Sequence, residues 1–253
     1  MYWEELADAL FPQGHAITVK DDFLSGSAQL DGETVTVIGT TAHTPIGVEI
    51  ALAQAQAILR TVREAPGRSI FMLVDTQGQR LRHRDEMLGI NSYMAHLGKC
   101  VDLARRKGHK VIGLVYDQAL SGGFITSGLM ADACYALPDS TIRVMGLPAM
   151  ARITKVPEEV LTELARSNPV FAPGPENYLR MGGLQAIWQE KPASSGDGAG
   201  AGGHASLADQ LKQALKDAPS SDQRASLGLA RGGRRLAQPV IDAVMNDGHV
   251  RLA

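Results

Sequence analysis

The chain has 253 residues, of which 44% are hydrophobic and 21% are charged, a composition typical of a globular protein that buries a sizeable core. Its formal net charge of -2 argues against nucleic acid or an anionic membrane as a partner, because both favour a basic excess. Acidic residues near Met1 and the lack of a long apolar run argue against a secretory signal and a membrane span, so we expect a cytoplasmic protein with no membrane partner.

Strand and helix patterns alternate in the first half of the chain. A strand is predicted over Thr34–Thr40 and a helix over Val48–Glu64, where apolar residues recur at helical spacing. A second strand over Ser69–Val74 precedes a helix that opens at Asp85 and ends at Gly108. Repeated β-then-α units predict parallel strands joined by right-handed crossovers.

The pattern continues through the middle of the chain. Val111–Tyr116 is almost continuously apolar, as expected of a strand buried on both faces, and a short helix follows from Gly123. Two further strands are predicted at Cys134–Leu137 and Thr141–Met145, and Pro157 starts another helix. The sequence therefore predicts an α/β fold.

The C-terminal part differs in composition. Small and polar residues dominate Ala193–Ser206, which predicts a flexible linker. We therefore expect a main domain over residues 1–190, a linker over 191–206 and a helical appendage over 207–253. Helical patterns cover two parts of this appendage, Leu207–Lys216 and Ser226–Met245. The appendage carries a basic cluster at Arg231, Arg234 and Arg235. This cluster is either a docking site for an acidic carrier protein or a solvated helix face.

Two glycine-containing loops are the candidates for chemistry. In Ser121-Gly122-Gly123, the backbone can pass close to a ligand and offer unpaired N–H groups at a helix start, although the same glycines also suit a plain tight turn. Gly78 follows the preceding predicted strand, where Asp75 could instead simply cap a turn. Because neighbouring parallel strands deliver their loops to one sheet edge, two amides could converge into an oxyanion hole.

These residues carry a family resemblance. The stretch Val74-Asp75-Thr76-Gln77-Gly78 resembles the Asp-Thr-Pro-Gly loop of acyl-CoA carboxyltransferase subunits in the crotonase superfamily, and Ser121-Gly122-Gly123 resembles their Ser-Gly-Gly-Ala turn. From about Thr34 to Leu184 the chain is most similar to the gamma subunit of biotin-independent malonate decarboxylase. The resemblance implies the crotonase-like (ClpP/crotonase) ββα spiral.

The resemblance also implies a function. A homologous beta subunit would complete the site, in which malonyl-S-acyl carrier protein loses carbon dioxide to give the acetyl thioester. The catalytic amides fall at Gly122, Gly123 and Gly78, and the neighbouring side chains expected to contact substrate are Gln79, Arg80 and Phe124. The resemblance leaves open whether these amides face the thioester oxygen or a neighbouring group. No cofactor is expected on this chain, because the carrier protein would bring a phosphopantetheine-type group.

Two departures from the wider family refine this expectation. Crotonase-type hydratases have a glutamate base where this sequence has Ile125, which argues against hydration chemistry. The family proline is replaced by Gln77, so the loop before Gly78 is less fixed.

Other polar residues near these loops have open roles. The basic run from Arg80 to Arg84 could meet a carboxylate or phosphate, or could be a solvated loop. The residue that protonates the enolate carbon is left open among Tyr116, His83 and Tyr93. No histidine pair has metal-ligand spacing with a third carboxylate, so no metal is expected, and Cys100 and Cys134 are interpreted as buried free thiols.

Two alternative functions remain open at this point. The same amides could hold the ureido oxygen of carboxybiotin in a biotin-dependent acyl-CoA carboxyltransferase subunit. The fold could also serve as a scaffold while the partner supplies all the chemistry.

Overall fold

The computed structural model describes residues 2–168, 172–189, 205–220, 223, 226–227, 230 and 236–247. Its strands are β1 Thr18–Lys20, β2 Phe23–Leu30, β3 Glu33–Thr40, β4 Ile70–Thr76, β5 Val111–Leu120, β6 Ala133–Ala136, β7 Thr141–Arg143 and β8 Ala186–Ile187. They form one sheet with the spatial order β1-β2-β3-β4-β5-β6-β8, while β7 pairs with β5 beside this path.

Helices connect the strands and flank the sheet. In chain order they are α1 Trp3–Leu10, α2 Val48–Glu64, α3 His83–Met87, α4 Ile90–Arg106, α5 Ser121–Phe124, α6 Leu147–Thr154, α7 Glu158–Ser167, α8 Pro175–Arg180, α9 Leu207–Asp217 and α10 Ala237–Met245. A π-helical turn over Ile125–Leu129 continues directly from α5. The alternation confirms the predicted α/β class.

The sheet is parallel where the sequence predicts it to be. From β3 through β4, β5 and β6 to β8 every pairing is parallel, and all seven residues of β4 are buried, as expected of a central strand covered on both faces. The hairpins joining β1, β2 and β3 are antiparallel. Both hairpin turns contain residues with positive φ, for example Asp22 and Asp31, which suits the tight reversal between antiparallel strands.

The two faces of the sheet bury separate hydrophobic clusters. Phe71 and Leu73 of β4 belong to one cluster, together with residues of α1 and α9. Ile70 and Met72 belong to another, with residues of α2 and α4. Successive side chains of a strand point to opposite faces, so β4 anchors both cores.

Helix α9 is part of the main core. Leu211 is completely buried in the cluster that contains α1, and Nζ of Lys110 donates to the Leu215 carbonyl at 2.6 Å. The hydroxyl of Ser206 caps the helix by accepting the N–H of Asp209 at 3.1 Å. The amphipathic face of α9 needs a partner surface and packs into this core. The predicted boundary at residue 207 therefore divides residues that share one core. Most of the predicted linker, and Arg231, Arg234 and Arg235, lie outside the described residues.

The helix predicted to open at Asp85 is interrupted. The chain forms α3, stops at Leu88 and restarts at α4, with Gly89 at φ +76° between them. The apolar periodicity continues across this break, which is why the sequence alone predicts one helix.

Two further expectations can be compared with the structure. Cys100 and Cys134 are both buried, as predicted. Within the described residues, no helix combines the length and the apolar character needed to cross a membrane.

Replacing Leu211 by alanine should lower the free energy of unfolding by about 3 kcal/mol, because it empties a fully buried site in the shared core. Urea unfolding of the purified chain measures the change. Leu81→Ala is the matched control, since Leu81 is 78% exposed and its truncation should cost no more than about 0.5 kcal/mol. Equal effects of the two substitutions would contradict the placement of α9 in the core.

Candidate active site

The two glycine loops meet at the carboxyl ends of β4 and β5. A Cβ atom on Gly123 would lie 2.8 Å from the Cα of Gly78, and one on Gly78 would lie 2.8 Å from the Cβ of Ser121. Gly78 also has φ +101°, a conformation that disfavours any other residue. The predicted convergence of the loops is therefore present as direct backbone contact.

Two of the three predicted catalytic amides, those of Gly122 and Gly78, donate to groups within the chain. The N–H of Gly122 donates to Oε1 of Gln79 at 3.0 Å. The N–H of Gly78 donates to the Thr76 hydroxyl at 3.1 Å, and that hydroxyl donates to the Thr44 carbonyl at 2.7 Å. The carboxamide of Gln79, for which the sequence predicts a substrate contact, therefore lies against the Gly122 turn.

The turn between β5 and α5 is held in a strained conformation. Ser121 has φ +52°, which is uncommon for a residue with a side chain. Its hydroxyl donates to the Val144 carbonyl at 2.9 Å and so ties the turn to the segment after β7. This conformation bends the chain sharply enough to bring Gly122 and Gly123 against the Gly78 loop.

Arg80 is engaged by two carboxylates. Its Nε and Nη2 donate to Asp85 at 2.8 and 2.7 Å, and Nη2 also donates to Glu49 at 2.5 Å. Hydrogen bonding to Asp85 raises the pKa of Arg80. The guanidinium lies so close over Gly47 that a Cβ there would be 2.3 Å from it. The position of Arg80 suits an anchor for the loop better than the substrate contact expected from the sequence.

Asp85 links this loop to the start of α2. Its Oδ1 accepts the N–H of Val48 at 3.1 Å, and its side chain is only 1% exposed. The hydrogen bond from Arg80 lowers the pKa of Asp85 to about 2. A buried carboxylate with a cation and a helix-start amide as partners stays charged and fixes the loop that follows Gly78.

The other sequence candidates are packed or hydrogen-bonded elsewhere in the fold, or are exposed. The Phe124 ring is buried in the core, 6.0 Å from the Tyr178 ring, so it packs the turn from inside instead of facing a substrate. The Tyr116 hydroxyl donates to the Thr40 carbonyl at 3.0 Å, and burial raises its pKa. His83 is exposed, and Tyr93 packs against the small cluster around Ile46.

A histidine and two aspartates form a group that the sequence reasoning missed. Nε2 of His43 lies 3.1 Å from Oδ1 of Asp117 and 3.6 Å from Oδ1 of Asp75. Burial raises the pKa of Asp75, whose Oδ2 accepts the N–H of His43 at 2.9 Å. Among the described residues, this is the group whose ligand atoms, within 4.8 Å of one another, could hold a metal ion. Its members come from three separate segments, so no spacing in the sequence indicates it.

A family model places the chain. The model of the malonate decarboxylase gamma subunit, MdcE, matches residues 41–248, which is most of the chain. The chain belongs to the malonate decarboxylase gamma subunit family. The resemblance inferred from the two glycine loops is thereby confirmed.

One curated relative is similar to the chain over part of its length. The malonyl-S-ACP:biotin-protein carboxyltransferase MADD of Malonomonas rubra is 31% identical over 185 residues. The match covers 65% of this chain and 63% of MADD, so the chain spans less than two thirds of that curated relative.

Solved structures also resemble this member of the gamma subunit family. The Pseudomonas malonate decarboxylase hetero-tetramer contains a chain that is 26% identical, with a TM-score of 0.76 in the coenzyme A complex, and 25% identical, with a TM-score of 0.73, in the malonate complex. Each match covers 96% of this chain and 97% of the other. Transcarboxylase 12S, at 15% identity and a TM-score of 0.63 over 88% of this chain and 41% of its own, shares the fold alone. The crotonase-like fold class is confirmed.

Ionisation of Asp85 should make the free energy of unfolding depend on pH over a defined acidic range. Because its folded pKa of about 2 lies below the ordinary 3.8, its contribution is fully present above pH 3.8 and is lost as the pH falls through 2. Asp85→Asn should therefore lower the free energy of unfolding at pH 7 by about 3 kcal/mol. It should also flatten the acid limb, which is the fall in this free energy at acidic pH.

Denaturant unfolding between pH 2 and pH 7 tests this expectation. Glu163→Gln serves as the control, because Glu163 pairs with Arg166 on the surface and is 72% exposed. That control should change stability by less than about 1 kcal/mol. An Asp85→Asn variant that keeps the wild-type acid limb would show that Asp85 does not carry this dependence.

Proposed function

We propose that this chain, together with a homologous beta subunit, decarboxylates malonyl-S-acyl carrier protein to acetyl-S-acyl carrier protein and carbon dioxide. The observation that carries the proposal is the contact of the Gly78 loop with the Gly122–Gly123 turn, where a hydrogen bond from Gly122 fixes a polar side chain. Membership of the gamma subunit family supports it, as do the coenzyme A and malonate complexes of the Pseudomonas enzyme.

The chemistry places its main demand on one oxygen atom. The bond between the carboxylate carbon and the α-carbon breaks, and its electron pair moves into the thioester to form an enolate. A proton is then added to the α-carbon. A fixed hydrogen-bond donor at the enolate oxygen stabilises the transition state by about 3 kcal/mol, so decarboxylation needs preorganised donors and no base to start it.

Four of the predicted site residues have the following roles in this proposal. Gly78 and Gly123 allow the two loops to touch, and Gly122 provides the N–H that fixes the donor group at the site. Arg80 holds the Gly78 loop through its hydrogen bonds to Asp85. The carrier protein supplies the phosphopantetheine-type arm, and this chain binds no cofactor of its own.

Carboxyl transfer to a biotin protein is the second candidate. The name of the Malonomonas relative favours it, since that protein is a malonyl-S-ACP:biotin-protein carboxyltransferase. Both reactions cleave the same carbon–carbon bond, and they differ in whether carbon dioxide leaves or is captured.

The assembled complex should release carbon dioxide from malonyl-S-acyl carrier protein labelled at the free carboxyl group. The assay contains EDTA, because enolate stabilisation by hydrogen-bond donors needs no metal. Label captured by a biotin carrier protein, with none released as gas, would favour carboxyl transfer. A rate that collapses in EDTA and returns with Zn²⁺ or Mn²⁺ would contradict the metal-free mechanism.

Gly123→Ala should lower kcat for carbon dioxide release by about 100-fold, because the new methyl group separates the loops and misplaces the donor. Co-purification with the beta subunit verifies that the complex still assembles. Gly146→Ala is the matched control, since its nearest neighbour would be 3.8 Å away and its φ of -67° suits alanine. Full activity of the Gly123→Ala complex would support a scaffold without a catalytic role.

A further inference from the structure

The main chain around Gln79 is fixed on both sides. The N–H of Ile46 donates to the Gly78 carbonyl at 2.8 Å, and the N–H of Arg80 donates to the Ile46 carbonyl at 2.8 Å. The guanidinium of Arg80 is in turn held by Asp85. The backbone that carries the Gln79 side chain therefore has little freedom to move.

The orientation of the Gln79 carboxamide is also determined. A backbone N–H can be accepted only by the oxygen of a carboxamide, so the bond from Gly122 identifies the atom at 3.0 Å as Oε1. The amide nitrogen, with its two N–H groups, must then point elsewhere. No residue in the described part of the chain accepts a hydrogen bond from Nε2, and Gln79 is partly exposed.

This arrangement makes Nε2 a prepared donor. Donation by Gly122 draws electron density towards Oε1 and strengthens the N–H groups on the other end of the same carboxamide. A donor that is aimed before the substrate arrives costs no reorganisation when charge develops. The group lies where the two glycine loops meet, which is the place that the proposed reaction requires.

We propose that Nε2 of Gln79 donates a hydrogen bond to the thioester oxygen of the malonyl substrate, which makes Gln79 a catalytic residue. This inference rests on the proposed function and assigns the donor within it. The opposite arrangement would have Gln79 as a plug that the substrate pushes off the Gly122 amide. That arrangement would break a formed hydrogen bond at every turnover and leave the Nε2 donors without a use.

Three substitutions separate these roles. Gln79→Glu keeps an oxygen acceptor for Gly122 but replaces the donor with a negative charge. Gln79→Met keeps a side chain of similar size that neither accepts nor donates. Gln79→Ala removes the whole group and frees the Gly122 amide.

We expect Gln79→Glu and Gln79→Met each to lower kcat by 100-fold or more while KM changes less than threefold, because the bond strengthens only as the oxygen gains charge. A purely structural bond to Gly122 predicts instead that Gln79→Glu retains activity. A plug predicts that Gln79→Ala is faster than the wild type. Either of those two results would overturn the inference.

The assay uses the complex with its beta subunit and malonyl-S-acyl carrier protein. Gln13→Glu is the matched control, because Gln13 is exposed, lies outside both glycine loops, and its Oε1 likewise accepts a glycine N–H, that of Gly32 at 3.2 Å, so this variant should retain activity. If the wild-type complex releases no carbon dioxide, the proposed function fails. If the wild type is active, Gly123→Ala is impaired and the Gln79 variants are normal, only the role of Gln79 is refuted.

Discussion

The pairing of β4 with β5 is the constraint on which the rest of the site depends. The two strands are in parallel register up to Val74 and Val115, and pairing resumes at Thr76 with Ala119. The longer strand thus accommodates extra residues in a bulge, and the Asp75 carboxylate accepts the N–H of Gln118 at 3.3 Å there. By advancing β5 relative to β4, the bulge sets the position at which the turn after Leu120 meets Gly78.

The N–H groups of Gly78 and Gly122 at this contact are both paired, the first inside the sheet edge and the second further out. Thr76 bridges the Thr44 carbonyl and the Gly78 amide inside the sheet edge. Further out, Gln79 accepts the Gly122 amide. These hydrogen bonds hold the site rigid, because a movement that broke one would leave a buried donor without a partner and lower the stability. The rigidity places a neutral carboxamide donor at the surface of the contact, which suits an oxygen that is neutral before reaction and charged during it.

Local features of the fold could be predicted from the sequence, and contacts between distant segments could not. The helix predicted over Val48–Glu64 has those bounds in the structure, because apolar periodicity and the glycine before it are local signals. The bond between Gln79 and Gly122 joins residues 43 positions apart, and neither residue type indicates it. His43, Asp75 and Asp117 likewise meet only because a loop, β4 and β5 pack together. The resemblance predicts where the glycine turns are. Which hydrogen-bond donors are available there depends on contacts between distant segments, such as the one between Gln79 and Gly122.

The proposed donor arrangement suits both reactions considered for this chain. Decarboxylation of a malonyl thioester and carboxyl transfer from it each develop negative charge on the thioester oxygen, so a fixed donor stabilises either transition state. The difference lies in what meets the carbon dioxide after the carbon–carbon bond breaks. In the proposed mechanism the glycine loops and Gln79 act before that event. A change from one reaction to the other therefore calls for changes in the surfaces that admit biotin or release carbon dioxide, while the contact between the loops stays the same.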